Sequence, residues 1–448
     1  MGEHPVVSKT GKALSAEDIA ANFEDLHPPL NAEQVSVEAS RCLFCHDAPC
    51  VAACPTSIDI PKFIRQIATG NLAGSARTIL SANIMGGTCA RACPTEILCE
   101  QKCVLNTGEH DPIEIGALQR HAVDHQIAKG GPHPFARAPK TGKSIAVIGA
   151  GPAGLTCAHA LAVQGHTVEI FEARQKPGGL NEYGLAAYKM AEDFAAREVD
   201  FILKVGGITL HYNQALGRDI AFADLQTRFD AVFMGIGLGR PRKLGLAGEN
   251  LGGVMDALQF IEDIRQADDP AQMDPGENVV VIGGGNTAID AAIQAKRLGA
   301  RSVTLVYRRG PTQMGATQWE QDLAAINGVT MMHWAKPERL IGEDVVHTVH
   351  FERTCLQDGN LVGTGDHFTL LADRVYTAIG QELYDQGLAS LRCESGKIMV
   401  DEAGHTSLPG VFAGGDCIAS GEDLTVQAVE DGKVAAAGIH TYLGEQNG

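Results

Sequence analysis

Between Ser144 and Glu172 the pattern of apolar and polar positions changes period twice. A continuous apolar run, SIAVIG, is short enough to be a buried strand; the glycine-rich GAGPAG interrupts it; PAGLTCAHALAV continues as a helical run; and TVEIFE forms a second strand that ends in the acid Glu172. A second stretch of the same form, ENVVVIGGGNTAIDAAIQAKRLGARSVTLVYRR, begins at Glu277. Each strand–helix–strand unit builds one parallel sheet, so two openings predict two dinucleotide-binding domains. Farther on, TSLPGVFAGGDC is followed by the helix-like LTVQAVEDGKVAAAGI and reads as a return to the first domain. The second domain is therefore expected as an insertion in the first.

Upstream, the first forty residues are polar with an ordinary helical pattern, LSAEDIAANFEDL, and read as a solvated lead-in. Residues 42 to 125 hold two cysteine blocks separated by PKFIRQIATGNLAGSARTIL, a helical stretch. The breaker-rich AKGGPHPFARAPKTGK prevents a regular element and is expected to mark a boundary. The predicted fold is α/β, with an N-terminal helical domain that carries the cysteine blocks followed by two Rossmann-like domains, the second inserted in the first. The expected ranges are 1–130 for the first, 131–275 with 381–448 for the second, and 276–380 for the third.

Composition narrows the function classes. Fifty-two glycines against 5% aromatic residues fit a chain rich in tight strand-to-helix turns. A formal charge of -18 disfavours a phosphate-backbone partner, so no nucleic acid is expected. The start, MGEHPVVSKT, has no basic segment leading into an apolar run, and nothing approaches the roughly 18 apolar residues of a membrane span. A soluble, cytoplasmic protein without a membrane partner is the expectation.

Of the twelve cysteines, eight fall between Cys42 and Cys103, leaving Cys157, Cys355, Cys393 and Cys417 scattered. Disulfide scaffolds are short and secreted, so a cluster heading a long chain points to metal. The blocks are Cys42-x2-Cys45-x4-Cys50-x3-Cys54-Pro and Cys89-x3-Cys93-Pro-x4-Cys99-x3-Cys103. Thiolates suit iron as soft anionic donors, and a Cys-Pro ending belongs to 4Fe-4S runs, whose fourth cysteine ligates the other cluster. Ligands are thus expected to cross between blocks. Zinc is the alternative, but only Cys42 and Cys45 have CxxC spacing.

In the first turn, Gly149-Ala150-Gly151-Pro152-Ala153-Gly154, the first glycine allows the bend, the second lets a pyrophosphate approach, and the third lets helix meet strand. Glu172 is placed to accept from ribose hydroxyls. The second turn, Gly283-Gly284-Gly285-Asn286-Thr287-Ala288, leads to a strand ending in Tyr307-Arg308-Arg309. An acid there would repel a 2′-phosphate and arginines pair with it, which favours a nicotinamide cofactor and admits NADP. The alternative is that both arginines are solvated surface charge. Two such sites with clusters imply a relay in which a flavin takes a hydride from NAD(P)H and releases electrons singly.

Taken together, CLFCHDAPCVAACPTSIDIPKFI, GGTCARACPTEILCEQKC, PIEIGALQR, GAGPAGL, PGGL, YRRG and VFAGGD resemble the N-terminal half of dihydropyrimidine dehydrogenase and its bacterial NAD(P)H-oxidising subunit. The small subunit of glutamate synthase is similar over the same span. The resemblance implies FAD, NAD(P)H and two 4Fe-4S clusters, one held by Cys42, Cys45, Cys50 and Cys103, the other by Cys54, Cys93, Cys99 and Gln119. Cys89 is left out. By itself Gln119 reads as an ordinary helix-surface residue; in the glutamate synthase subunit a carboxylate takes its place. For the flavin the resemblance implies Gly149 to Ala153, Glu172, Gly179, Leu180, Lys189 as a phosphate contact, and Asp416 with the preceding Gly415 through Thr425. For the nicotinamide it implies Gly284, Gly285, Asn286, Thr287, Arg308, Arg309, and Ala378, Ile379 and Gly380. NADP-dependent members carry a further arginine where this chain has Gly315, which leaves NADH open. The family's longer chains continue into an FMN barrel that reduces the pyrimidine. An electron-input subunit of a hetero-oligomer, with a separate FMN and iron-sulfur partner that reduces uracil and thymine, is therefore implied.

Overall fold

A computed structural model describes residues 14–384, 388, 390–420 and 422–445. These form two compact units, one of residues up to Leu26, Tyr183–Ala191 and Pro241–Gln381, the other of His27–Glu182, Glu192–Arg240 and Glu382 onward.

The larger unit begins with short helices. Helix Ile60–Ala68 starts where the Asp59 carboxylate caps the Lys62 N–H, and places Ile60, Phe63, Ile64 and Ile67 on one buried face. That face meets Ala76, Ile79 and Leu80 of helix Leu72–Ala82 and Leu118, Ala122 and Val123 of helix Ile115–Lys129 in one core. The same core continues into Ile145, Val147, Leu155 and Leu161. The breaker-rich segment before Ser144 therefore does not separate compact units. It is pinned down: Arg137 donates to the carbonyls of Ala162 and His166 at 3.0 and 2.8 Å.

The sheet of this unit has five parallel strands in the order 411–413, 231–234, 144–148, 167–171, 208–211. The chain leaves after Met234, builds the other unit, and returns to add Val411–Ala413 beside Ala231–Met234. The second dinucleotide-binding fold is thus inserted in the first. Helix Thr425–Glu445 then lies against helix Pro152–Val163, as closely as it does because a Cβ on Gly432 would stand 2.4 Å from the Ala153 carbonyl oxygen.

The other unit holds a parallel sheet ordered 254–256, 374–378, 278–283, 302–307, 330–333, and a three-stranded antiparallel sheet of 335–342, 346–357 and 360–371. The lead-in is not solvated. Ile19 of helix Ala16–Asn22 is buried in the core of this unit with Ile261 and Ile289, and Asn22 exchanges hydrogen bonds with Arg297. The next helix, Ala32–Arg41, buries Val35 and Ala39 in the larger unit. Among the described residues no helix is long and apolar enough to cross a membrane.

Candidate functional site

All twelve cysteines are free, and the eight N-terminal ones line two cavities, four to each. Cys42 caps the C-terminus of helix Ala32–Arg41, and Cys50 sits in the short helix Pro49–Ala52. With Cys45 and Cys103 they line the first cavity, walled by Ile60, Ile64, Ile113 and Ile115. Burial and the neighbouring Cys103 and Cys42 push the Cys50 thiol up to about 11. Crowded thiols in an apolar wall resist carrying negative charge together. A bound cation removes that resistance, so the donor set fits a metal cluster.

The second cavity is lined by Cys54, Cys93, Cys99 and Gln119, together with Cys89 and Asn83. Helix Gly86–Ala92 carries Cys89 and ends at Cys93. The contact with Cys89, then burial, raises the Cys93 thiol well above its ordinary value. The Asn83 amide donates to Cys89 Sγ at 3.2 Å. Gln119 is 7% exposed, and its Nε2 donates to the Gly86 carbonyl at 2.7 Å, so its amide plane is fixed. It is no surface residue. It continues the stripe Ile115, Leu118, Ala122, Val123, and a polar residue in an apolar stripe was the signal available in the sequence.

At the first glycine turn, Gly149 adopts φ +95°, and a Cβ there would meet the Gly235 carbonyl oxygen at 2.4 Å. A Cβ on Gly154 would overlap the Gly149 carbonyl, whereas at Gly151, the cap of helix Pro152–Val163, only Gly179 comes within 4 Å. The turn is therefore tight on its inner side and open at the helix N-terminus. Gly178 and Gly179 fold over it, Gly178 N–H donating to the Ala150 carbonyl at 2.8 Å, while Leu180 stays exposed. The buried Glu172 carboxylate accepts from Ala150 and Arg174 N–H groups at 2.7 and 2.9 Å, one on each oxygen. Each oxygen keeps acceptor capacity for a hydroxyl.

Asn181 is a residue that sequence reasoning missed. It is 1% exposed, its Oδ1 accepts from Thr425 at 3.1 Å, and its Nδ2 has no hydrogen-bond partner among the described residues. A buried amide donor left open between the glycine-rich segment and the start of helix Thr425–Glu445 fits a polar ligand such as a flavin ring. Asp416 follows Gly415, whose N–H donates to Asp431 at 3.0 Å. Burial, then Asp423, pushes the Asp416 carboxyl up to about 6 against the pull of Lys397. Gly421, within the implied flavin segment, lies outside the described residues, as do residues 1–13 of the first expected domain and 446–448 of the last.

Lys189, implied as a phosphate contact, meets two acids of its own chain. It lies in the unit with the second glycine turn, 8% exposed, with its ammonium 2.8 Å from Asp290 and paired with Glu320 as well. Burial works against its charge, but the two carboxylates more than offset this and hold it above the usual lysine value.

At the second turn a Cβ on Gly283 would lie 2.3 Å from the Ala378 carbonyl, which brings Ala378, Ile379 and Gly380 to the same strand ends. Gly285 caps helix Asn286–Arg297 with open space around it, and the Asn286 Oδ1 has no hydrogen-bond partner among the described residues. Thr287 follows in the first turn of that helix. This is the crevice beyond the carboxyl ends of parallel strands, where dinucleotides bind. Arg308 is exposed and Arg309 half-buried at the end of Ser302–Tyr307, and neither guanidinium pairs with a carboxylate among the described residues. Gly315 lies against the turn, 3.8 Å from Gly284 O by its Cβ position, and Ala316 N–H donates to that carbonyl.

Two family profiles match the chain. One, described as pyridine nucleotide-disulphide oxidoreductase, covers residues 143–432; the other, described as dihydropyrimidine dehydrogenase domain II, 4Fe-4S cluster, covers residues 19–131. The NAD-dependent dihydropyrimidine dehydrogenase subunit PreT of Escherichia coli K12 is 35% identical over 94% of this chain and 97% of its own. The glutamate synthase [NADPH] small chain of Azospirillum brasilense is 32% identical over 94% and 92%. Among solved structures, Mycobacterium tuberculosis FprA in complex with NADPH superposes with a TM-score of 0.58 at 19% identity, covering 69% of this chain and 86% of that one, a likeness of fold.

Proposed function

The chain belongs to the pyridine nucleotide-disulphide oxidoreductase family, and from that premise we propose that it is the electron-input subunit of a dihydropyrimidine dehydrogenase. It is an NAD(P)-dependent flavin and iron-sulfur oxidoreductase, with FAD, NAD(P)H and 4Fe-4S clusters as cofactors. Bound, these groups supply hydride acceptance and one-electron conduction.

In this reading Cys42, Cys45, Cys50 and Cys103 hold one cluster, and Cys54, Cys93, Cys99 and Gln119 the other, within residues 1–130. Gly149 to Gly154 present helix N–H groups to the flavin pyrophosphate. Glu172 accepts from its ribose, Asp416 meets its ribitol hydroxyls, and Asn181 and Thr425 border its ring, within 131–275 and 381–448. Gly284 to Thr287 receive the nicotinamide pyrophosphate, with Arg308, Arg309 and Ala378 to Gly380 beside it, within 276–380. The electrons leave for a separate FMN and iron-sulfur subunit that reduces uracil or thymine to the 5,6-dihydro form.

The observation that carries this over a glutamate synthase small chain is Gln119, buried at the second cysteine cavity. A neutral amide oxygen among three thiolates makes a cluster less negative than a carboxylate would, which shifts its potential. The test is co-expression with an FMN-containing partner and assay of NADH and NADPH oxidation with uracil, and separately with glutamine plus 2-oxoglutarate. Oxidation that depends on uracil supports the reading. Oxidation that depends on glutamine instead sinks it.

A further inference from the structure

Far along the chain from either glycine turn, the antiparallel sheet of 335–342, 346–357 and 360–371 has one face on an apolar core of Leu340, Val349 and Phe351, with Phe368 packed against it. Strict alternation sends His350, Glu352 and His367 to the opposite face. His367 pairs directly with Glu352, so it is the diagonal neighbour of His350, and the two imidazoles stack with centroids 5.4 Å apart.

The third strand breaks the alternation. Pro337 pairs with Phe351 and Arg339 with His350, which leaves Glu338 as the extra residue of a β-bulge. Bulges re-aim a side chain, and this one turns the Glu338 carboxylate between the two histidines. Its Oε2 lies 3.0 Å from His350 Nδ1 and 3.0 Å from His367 Nδ1. Lys336 on the same strand does not compete for that carboxylate, because it pairs with Glu352 at 2.6 Å, and Glu352 also accepts from the Gly365 N–H.

We propose that Glu338, His350 and His367 form a binding site for a divalent transition-metal ion of the zinc class. One carboxylate oxygen and two imidazole nitrogens, all within 4.8 Å of one another, are donors of the type zinc takes. With metal–donor bonds of about 2.0 to 2.2 Å, tetrahedral donors stand roughly 3.3 Å apart, so the existing 3.0 Å contacts need to open by only a few tenths of an ångström. Each donor stands on a different hydrogen-bonded strand, a rigid platform for a constellation of three. The His367 side chain is 46% exposed, which gives the ion an entry path and leaves its fourth position to water. A metal here ties three strands together on the nicotinamide-binding unit, apart from the eight N-terminal cysteines.

The test uses the cluster-loaded holoprotein, whose seven ligating thiolates are occupied by iron, with the exposed Cys355 and Cys393 replaced by serine, incubated with one equivalent of zinc sulfate and desalted. Wild type is expected to retain one additional zinc per chain by elemental analysis. Glu338→Gln and His367→Ala are each expected to bind it at least about tenfold more weakly, with flavin absorbance unchanged as evidence that they fold. Zinc-soaked crystals should show an anomalous peak at the zinc edge bonded to all three side chains. Equal zinc retention by wild type and both variants, or an anomalous peak only at other residues, overturns the proposal.

Discussion

A single lysine illustrates how much one side chain can carry. Lys189 pairs with both Asp290 and Glu320, and Tyr188 donates to the same Asp290 at 3.0 Å. Removing one partner of a buried ionic group leaves uncompensated charge, so Lys189→Met is expected to cost about 3 to 5 kcal/mol in urea unfolding. Cys89 poses the opposite case, a sulfur at the second cavity with no assigned ligand role. Cys89→Ser is expected to keep the wild-type iron content, whereas Cys93→Ser is expected to lose about half. Iron analysis and the spin-resonance spectrum of the reduced protein distinguish these outcomes. At Gly315, where an added Cβ meets nothing closer than ordinary contact distance, an arginine side chain has room. Gly315→Arg is expected to raise the NADPH over NADH ratio of kcat/KM about tenfold, the worth of one charged hydrogen bond.

At the scale of elements, helix Gly86–Ala92 is held by a carboxylate from helix Phe194–Leu203. Glu198 accepts from the N–H groups of Gly87 and Thr88 at 2.8 and 3.0 Å and from the Thr88 hydroxyl. Burial pushes its carboxyl from 4.5 up to about 7, in spite of the Thr88 bonds and Arg91. Between those values the folded chain holds a proton that the unfolded chain has released. The contribution to stability is therefore complete below about 4.5 and lost as pH rises through about 7. Glu198→Gln keeps an acceptor for both N–H groups and does not titrate. Its melting temperature should change less between pH 5 and pH 8 than that of wild type, as read by calorimetry. Gly432 sets a second contact between elements. With Ala153 O only 2.4 Å from any added Cβ, Gly432→Val must drive two helices apart, at about 1 to 3 kcal/mol, and should lower the bound flavin measured by absorbance.

For the molecule as a whole, the insertion makes the first dinucleotide fold depend on the last part of the chain. Strand Val411–Ala413 completes its sheet, and Val426, Val429, Ile439 and Leu443 of the final helix complete its core. Truncation after residue 400 removes these together with Asp416 and Thr425. The shortened chain is expected to purify without flavin absorbance, or to collect in the insoluble fraction, since each lost core side chain is worth roughly 1.5 to 3 kcal/mol.

Both strand–helix–strand openings, the returning C-terminal segment and the metal character of the cysteine blocks were legible in the sequence, because each rests on local periodicity or on spacing within one turn. A buried strand is apolar whatever surrounds it, and a glycine whose Cβ would strike a carbonyl is required by its own loop. Contacts distant in sequence were not legible. The opening helix looked solvated because four large apolar positions in a polar stretch, Leu14, Ile19, Phe23 and Leu26, do not say what they meet, and Ile19 meets a core built from residues after 180. The pairing of Lys189 was not legible because its two carboxylates lie 101 and 131 residues farther on. The metal-ion site proposed on the antiparallel sheet depends on a one-residue bulge at Glu338, and register between strands is decided only when the strands pair. The amino-acid order thus determined the kinds of chemistry in this chain, and tertiary folding decided which of its charged and sulfur-bearing groups reach a cofactor and which are taken up by one another.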